Sequence, residues 1–135
     1  MTTLMTTVDS DVKARLTKDM YRTEEEQNYE FLYKRGQDVL LSIIEDEADA
    51  VRENIKEMCP ELADAFIIDA YGRYISSDSI LPMKETELCI IAAITPLKLE
   101  AYVAYHVKGS AIYGASKDEI SAASAIGNLA LNART

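Results

Sequence analysis

The sequence predicts an all-α domain of about five or six helices. Three observations carry that expectation: apolar residues recur at helical spacing along most of the chain, proline and capping residues stand at the helix starts, and no segment alternates like a half-buried strand. With 135 residues and 48% hydrophobic content, the chain is long enough for one core and too short for two ordinary domains. Residues 1–22 are expected to form an N-terminal tail with at most one short helix, the first ten frayed, and residues 23–135 a single helical domain.

The first long helix is expected from Thr23 to about Ile44, because Thr-Glu-Glu-Glu places acids in a first turn, where the helix dipole favours them. Gly36 lies inside it, and such a glycine costs about 1 kcal/mol relative to alanine unless it kinks the helix or admits a neighbouring backbone. Residues 48–58 read as a short helix. Pro60 suits the first turn of the next, in which Leu62, Phe66, Ile67, Ala70 and Tyr74 recur on one face as far as Ser76. Ser77-Asp78-Ser79 breaks the pattern, and Pro82 introduces a helix that is apolar on every side over residues 88–94. A helix of that kind is expected to be central and buried. Thr95-Pro96 has the form of an N-cap with proline at the first helical position, so another helix is expected to begin there. Ser116-Lys117-Asp118-Glu119 is a capping box opening the last helix, whose Ala122, Ala123, Ser124, Ala125, Gly127 and Ala130 suit either a close-packed core or a seam between subunits.

Charge and cysteine content exclude several function classes. Fourteen basic against 23 acidic residues give a net charge of −9, the wrong sign for a nucleic-acid partner. Up to Asp64 there are 8 basic and 16 acidic residues and beyond it 6 and 7, which suggests a solvated N-terminal layer around a more buried C-terminal half. The longest apolar run has seven residues, against the roughly 20 of a membrane-spanning helix, so no membrane partner is expected. The opening residues lack the basic, apolar and small-residue order of a secretion signal. Cys59 and Cys89 form neither a Cys-x-x-Cys nor a Cys/His ligand pattern, so no disulfide framework or metal site is expected and a reducing cytoplasm is the expected location. No GxSxG, P-loop, GxGxxG or HExxH motif is present.

Two residues stand out as chemistry. His106 is the single histidine and shares a helical stripe with Leu99, Tyr102, Val103, Ser110 and Tyr113, a half-buried setting in which an imidazole can exchange a proton near neutral pH. A histidine so placed is also a common core residue with its nitrogens satisfied. Glu87 opens the most apolar helix and shares a face with Met83, Ile91 and Ile94, where burial of a carboxylate demands an imidazole or hydroxyl as compensation. Its alternative role, like that of Glu85, is to complement the helix dipole. Cys89 beside it reads as a packing residue, Tyr102, Tyr105 and Tyr113 as pocket or core, and the acids at 45–47 and 49 as a solvated helix junction.

Taken in order, Lys84-Glu85-Thr86-Glu87-Leu88, the apolar helix after it, His106-Val107-Lys108-Gly109-Ser110-Ala111 and Tyr113-Gly114-Ala115-Ser116-Lys117-Asp118-Glu119-Ile120 resemble the carboxymuconolactone decarboxylase family. The histidine follows the glutamate by 19 positions, the separation that the family shows. A weaker likeness is carried by Tyr33-Lys34-Arg35-Gly36 and Ala70-Tyr71-Gly72-Arg73, so the resemblance covers roughly residues 30 to 131.

The resemblance implies a carboxymuconolactone decarboxylase-like, AhpD-like helical fold. It implies Glu87 and His106 as the catalytic pair, no cofactor, and decarboxylation of a small carboxylated carbonyl or lactone substrate, with Tyr102, Tyr105, Tyr71 and Lys84 as candidate substrate-binding residues. Peroxidase-like members of the same fold carry Cys-x-x-Cys just before the histidine. This chain has Leu99 and Tyr102 there, which disfavours dithiol chemistry. Thr86 stands where the family usually has a basic residue, so Lys84, Arg73 or Lys108 would have to hold a substrate carboxylate. The family commonly forms rings of three dimers, which implies a homo-oligomer, trimer or hexamer, and leaves a noncatalytic oligomeric binding protein as the alternative function.

Overall fold

The computed structural model describes residues 9–15, 22–79 and 81–133. Of the expected tail, residues 1–8 and 16–21 lie outside these, and Ser10–Arg15 forms a short helix, α1. The remaining helices are α2 (Tyr29–Ile44), α3 (Ala48–Met58), α4 (Pro60–Asp64) running directly into a π-helical segment (Ala65–Ile75), α5 (Met83–Ile94), α6 (Glu100–Ile112) and α7 (Lys117–Asn132). The described residues contain no strand, and the all-α expectation holds.

The first long helix starts later than Thr23. Thr23 and Glu26 close a local ring, with the Thr23 amide donating to Glu26 Oε2 at 2.9 Å, and a single 3₁₀ turn follows. Asn28 is the real cap, its side chain accepting from the amides of Glu30 and Phe31. An asparagine oxygen competes better for those free donors than a charged first turn.

Gly36 serves close approach rather than a kink. A Cβ there would lie 2.1 Å from the Ile67 carbonyl oxygen, and one at Gly72 would lie 2.1 Å from that of Leu32. The two glycines therefore let α2 and the π segment meet backbone to backbone. At the end of the π segment the Gly72 carbonyl accepts from Arg35 Nε (2.8 Å), Arg35 Nη2 (2.6 Å) and Ser76 Oγ (2.9 Å), so α2 also supplies the cap. The wide winding moves the buried face. Ala63, Ile67, Ile68 and Tyr71 are buried, whereas Leu62 and Tyr74, expected on the core side, are 54% and 63% exposed. The expectation assumed 3.6 residues per turn, and an i→i+5 ladder does not keep that period.

The other half of the molecule is α5 packed between α6 and α7. The capping box forms as expected: Ser116 Oγ accepts from the Glu119 amide at 3.2 Å, and Glu119 Oε2 accepts from the Ser116 amide at 2.7 Å. The small residues of α7 pack within the chain, since a Cβ at Gly127 would lie 2.1 Å from the Ala92 carbonyl oxygen. Two expectations fail here. Thr95-Pro96 does not open a helix; it forms a 3₁₀ turn that ends α5, with Thr95 Oγ1 donating back to the Ile91 carbonyl at 2.7 Å and Lys98 in the left-handed region, so α6 begins at Glu100. The apolar α5 is not enclosed on all sides either, because Glu87 and Ile91 are buried but Cys89 is exposed, so Cys89 is not a core packing residue within one chain. The uniform apolar pattern of residues 88–94 cannot say which flank the chain itself covers.

Candidate active site

Where the two halves meet, Glu87 of α5 is 0% exposed and its Oε2 lies 2.8 Å from His106 Nδ1 on α6. The imidazole is 12% exposed, so one edge of the pair reaches the surface while the carboxylate does not. A carboxylate withdrawn from water is costly unless it is paired and hydrogen-bonded, and this one has a single partner: Glu87 Oε1 has none among the described residues. With Nδ1–H donating to the carboxylate, the other ring nitrogen, Nε2, becomes the atom that carries or accepts a proton at the open edge.

Local sequence makes room for this pair. Gly109 stands one helical turn after His106, and a Cβ there would lie 3.3 Å from Glu87 Cδ and Oε2 and 3.2 Å from Ile43 Cγ1. The helix backbone of α6 therefore comes up against the carboxyl group. Ser110 is fully buried, and its hydroxyl donates to the Val107 carbonyl at 2.8 Å. Tyr71, from the π segment, belongs to the same buried cluster as Ile43. Burial first, and then the charge of Glu87, push its phenol up to about 12, so it remains a neutral hydroxyl at any ordinary pH.

The other sequence candidates are placed differently. Tyr102 lies one turn before His106 on the same helix and is 60% exposed. Tyr105 donates its hydroxyl to Glu47 Oε2, and Lys108 pairs with Glu45 at 2.8 Å, so the 45–47 turn is clasped to α6 on either side of His106. Glu45 holds a positive φ of 48° at the head of that turn. Lys84 lies 3.0 Å from Glu119 Oε1 and ties α5 to the start of α7; Arg73 pairs with Asp69 at 3.0 Å. Tyr113 meets Ser42 hydroxyl to hydroxyl at 2.9 Å and packs against the core. A cleft of about 440 Å³, lined by Leu99, Val103 and Val107 among others, opens beside the helix of His106. Gly109 is the position against the Glu87 carboxyl that sequence reasoning left without a role, and the signal for it was its i+3 spacing from His106 on one helical face.

Residues 60–131, more than half of the chain and inclusive of both Glu87 and His106, match the carboxymuconolactone decarboxylase family. The chain belongs to that family. The weaker likeness around Tyr33 lies outside the matched stretch. Among curated proteins the chain is similar to Peroxisomal protein 2 of Schizosaccharomyces pombe, 33% identical over 63 residues. That stretch is 47% of this chain and spans 30% of the relative's length. No solved structure gives a significant match. No helix among the described residues is long and apolar enough to cross a membrane.

Proposed function

We propose that this carboxymuconolactone decarboxylase family member is a cofactor-independent lyase that removes carbon dioxide from a small carboxylated carbonyl or lactone substrate, or runs the same proton transfer on the enolate. The observation that carries the reading is the buried Glu87 carboxylate on His106 Nδ1, 2.8 Å apart, with the rest of the imidazole at an open edge. Cleavage of the C–CO₂⁻ bond leaves its electron pair on the substrate as an enolate, and the enolate carbon then takes the proton from His106 Nε2. Glu87 balances the imidazolium before the transfer and holds the Nδ1–H tautomer after it. The ring then regains its proton from water through its exposed edge. The absence of cysteine at Leu99 and Tyr102 supports this reading over a dithiol peroxidase.

The test is carbon dioxide release over a panel of β-keto, vinylogous and lactone acids, comparing the native chain with His106→Gln and Glu87→Gln. Loss of turnover in both variants without loss of fold supports the dyad, and turnover retained in both overturns it.

We also propose that the chain works as a homo-oligomer in the cytoplasm, with no nucleic-acid or membrane partner. Exposed Leu97, Leu99, Tyr102, Ile126 and Leu129 support association, since an isolated chain rarely leaves so many large apolar side chains in water. The same residues favour a second reading, a noncatalytic oligomeric binding protein. Light scattering that finds an oligomer, together with no turnover on any panel member, selects that reading.

A further inference from the structure

A cavity of about 350 Å³ lies apart from the dyad, since none of its lining residues belongs to α5 or α6. Its apolar floor includes Ala63 and Ile67, both buried. The charged groups come from two helices that meet at Cys59: α3 supplies Arg52 and Lys56, one turn apart, and α4 supplies Glu61 and Asp64. Tyr33 of α2 adds a hydroxyl.

The lining leaves donors and acceptors over at the same time. The Tyr33 oxygen accepts from Gln37 Nε2 at 3.3 Å and from Arg52 Nη1 at 3.2 Å, while its own hydrogen goes to no described residue. Arg52 spends one further N–H on Glu53 at 3.1 Å, so two of the five guanidinium N–H groups are used. The Glu61 and Asp64 carboxylates take neither a hydrogen bond nor an ion pair from any described residue. Exposed acids are ordinary by themselves. Two that line a cavity together with uncommitted donors from other helices and an apolar floor make a site with two unlike ends.

We propose that this cavity binds a small zwitterion of the amino-acid class, its ammonium held by Glu61 and Asp64 and its carboxylate by Arg52, Lys56 and the Tyr33 hydroxyl. A ligand carrying a carboxylate alone is disfavoured: Asp49 and Glu53 already pair with Arg52, and with Glu61 and Asp64 they outnumber the two cations. A ligand carrying an ammonium alone leaves the Tyr33 hydrogen and the spare guanidinium N–H groups unused. A zwitterion satisfies both ends with charge-assisted hydrogen bonds, and its aliphatic body covers Ala63 and Ile67. The volume falls at the small end of ligand pockets, which run from roughly 300 to 1,000 Å³. The site shares no residue with the Glu87–His106 pair, so it stands or falls separately from the lyase reading.

Isothermal titration calorimetry at neutral pH tests it, with glycine, leucine and γ-aminobutyrate as zwitterions and with butylamine and butyrate as single-ended controls. At least one zwitterion is expected to bind in the millimolar range or tighter, and both controls about 10-fold or more weaker, because each lacks one set of charge-assisted hydrogen bonds. Glu61→Gln combined with Asp64→Asn, both at exposed positions where the fold tolerates the change, should weaken the zwitterion to the level of butyrate. His106→Gln should bind it as the native chain does. Amide shifts on titration should be confined to residues 33 and 52–67.

No binding by any of the three zwitterions overturns the proposal, as does a control that binds equally well or a double variant that binds unchanged. Shifts centred on His106, with binding lost in His106→Gln, would place the zwitterion at the dyad instead and equally overturn this site.

Discussion

Gly109 and Glu87 meet across the contact between α5 and α6, so closely that one added methyl group would sit 3.3 Å from both the carboxyl carbon and Oε2. The carboxylate is enclosed with His106, its single hydrogen-bond partner among the described residues. Gly109→Ala therefore opposes two effects. Alanine favours the helix by about 1 kcal/mol, and the new methyl displaces the carboxylate by a few tenths of an ångström. We expect stability within about 1 kcal/mol of the native chain and a disproportionate loss of turnover, as urea denaturation and the carbon dioxide assay would show. Full activity would mean that the position of the carboxylate does not matter.

Glu87→Leu separates function from folding. Replacing both members of a buried ion pair by apolar side chains is commonly neutral or stabilising, whereas removing one member costs about 3–5 kcal/mol when the other is left charged and enclosed; here the member left is His106, which has an edge at the surface. The variant should be inactive and lose less than about 3 kcal/mol of stability, because water reaches the ring that is left. A large loss of stability would show that Glu87 is structural.

The glycine crossing should be intolerant. At Gly36 and Gly72 an added Cβ meets a carbonyl oxygen of the opposite element at 2.1 Å, and backbone, unlike a side-chain end, cannot swing aside. Either substitution by alanine is expected to cost more than about 2 kcal/mol in spite of the gain in helix propensity, measured as a fall in the urea midpoint. An unchanged midpoint would show that the helices do not cross there.

Acid should weaken the start of α7. The Ser116 amide, then Lys84 and the Ser116 hydroxyl, hold the Glu119 carboxyl down to about 2, below its ordinary value of 4.5. A depressed carboxyl contributes stability that is fully present above the ordinary value and is lost as pH falls through the depressed one. Glu119→Gln should thus be less stable than the native chain at neutral pH, by an amount reduced by solvent exposure, and the gap should close between about pH 4.5 and pH 2. A gap that is constant down to pH 2 would show that the charge is not involved.

How much of this was legible beforehand differs from element to element. Ser116 and Glu119 were readable because a capping box is complete within four residues and depends on nothing distant. Thr95-Pro96 has an equally local signature, yet the Thr95 hydroxyl found the carbonyl of Ile91 behind it, and proline ended one helix rather than starting another. Glu87 and His106 were each singled out as chemically unusual. Their distance was not readable, because 19 residues and a reversal of direction separate them.

The sequence by itself determined the helical class, the caps at Pro60 and Ser116, the small residues of the last helix that allow close packing, and the identity of the two catalytic candidates. All of these rest on spacing along one helix or on the chemistry of a single side chain. Tertiary structure alone decided that residues 65–75 wind as a π-helix with Tyr71 inward, that Cys89 remains exposed, and that Gly109 accommodates the carboxylate. Each of those depends on which surface of one helix another covers, and an apolar residue carries no address for its partner; the packing that sets it is a property of the whole chain.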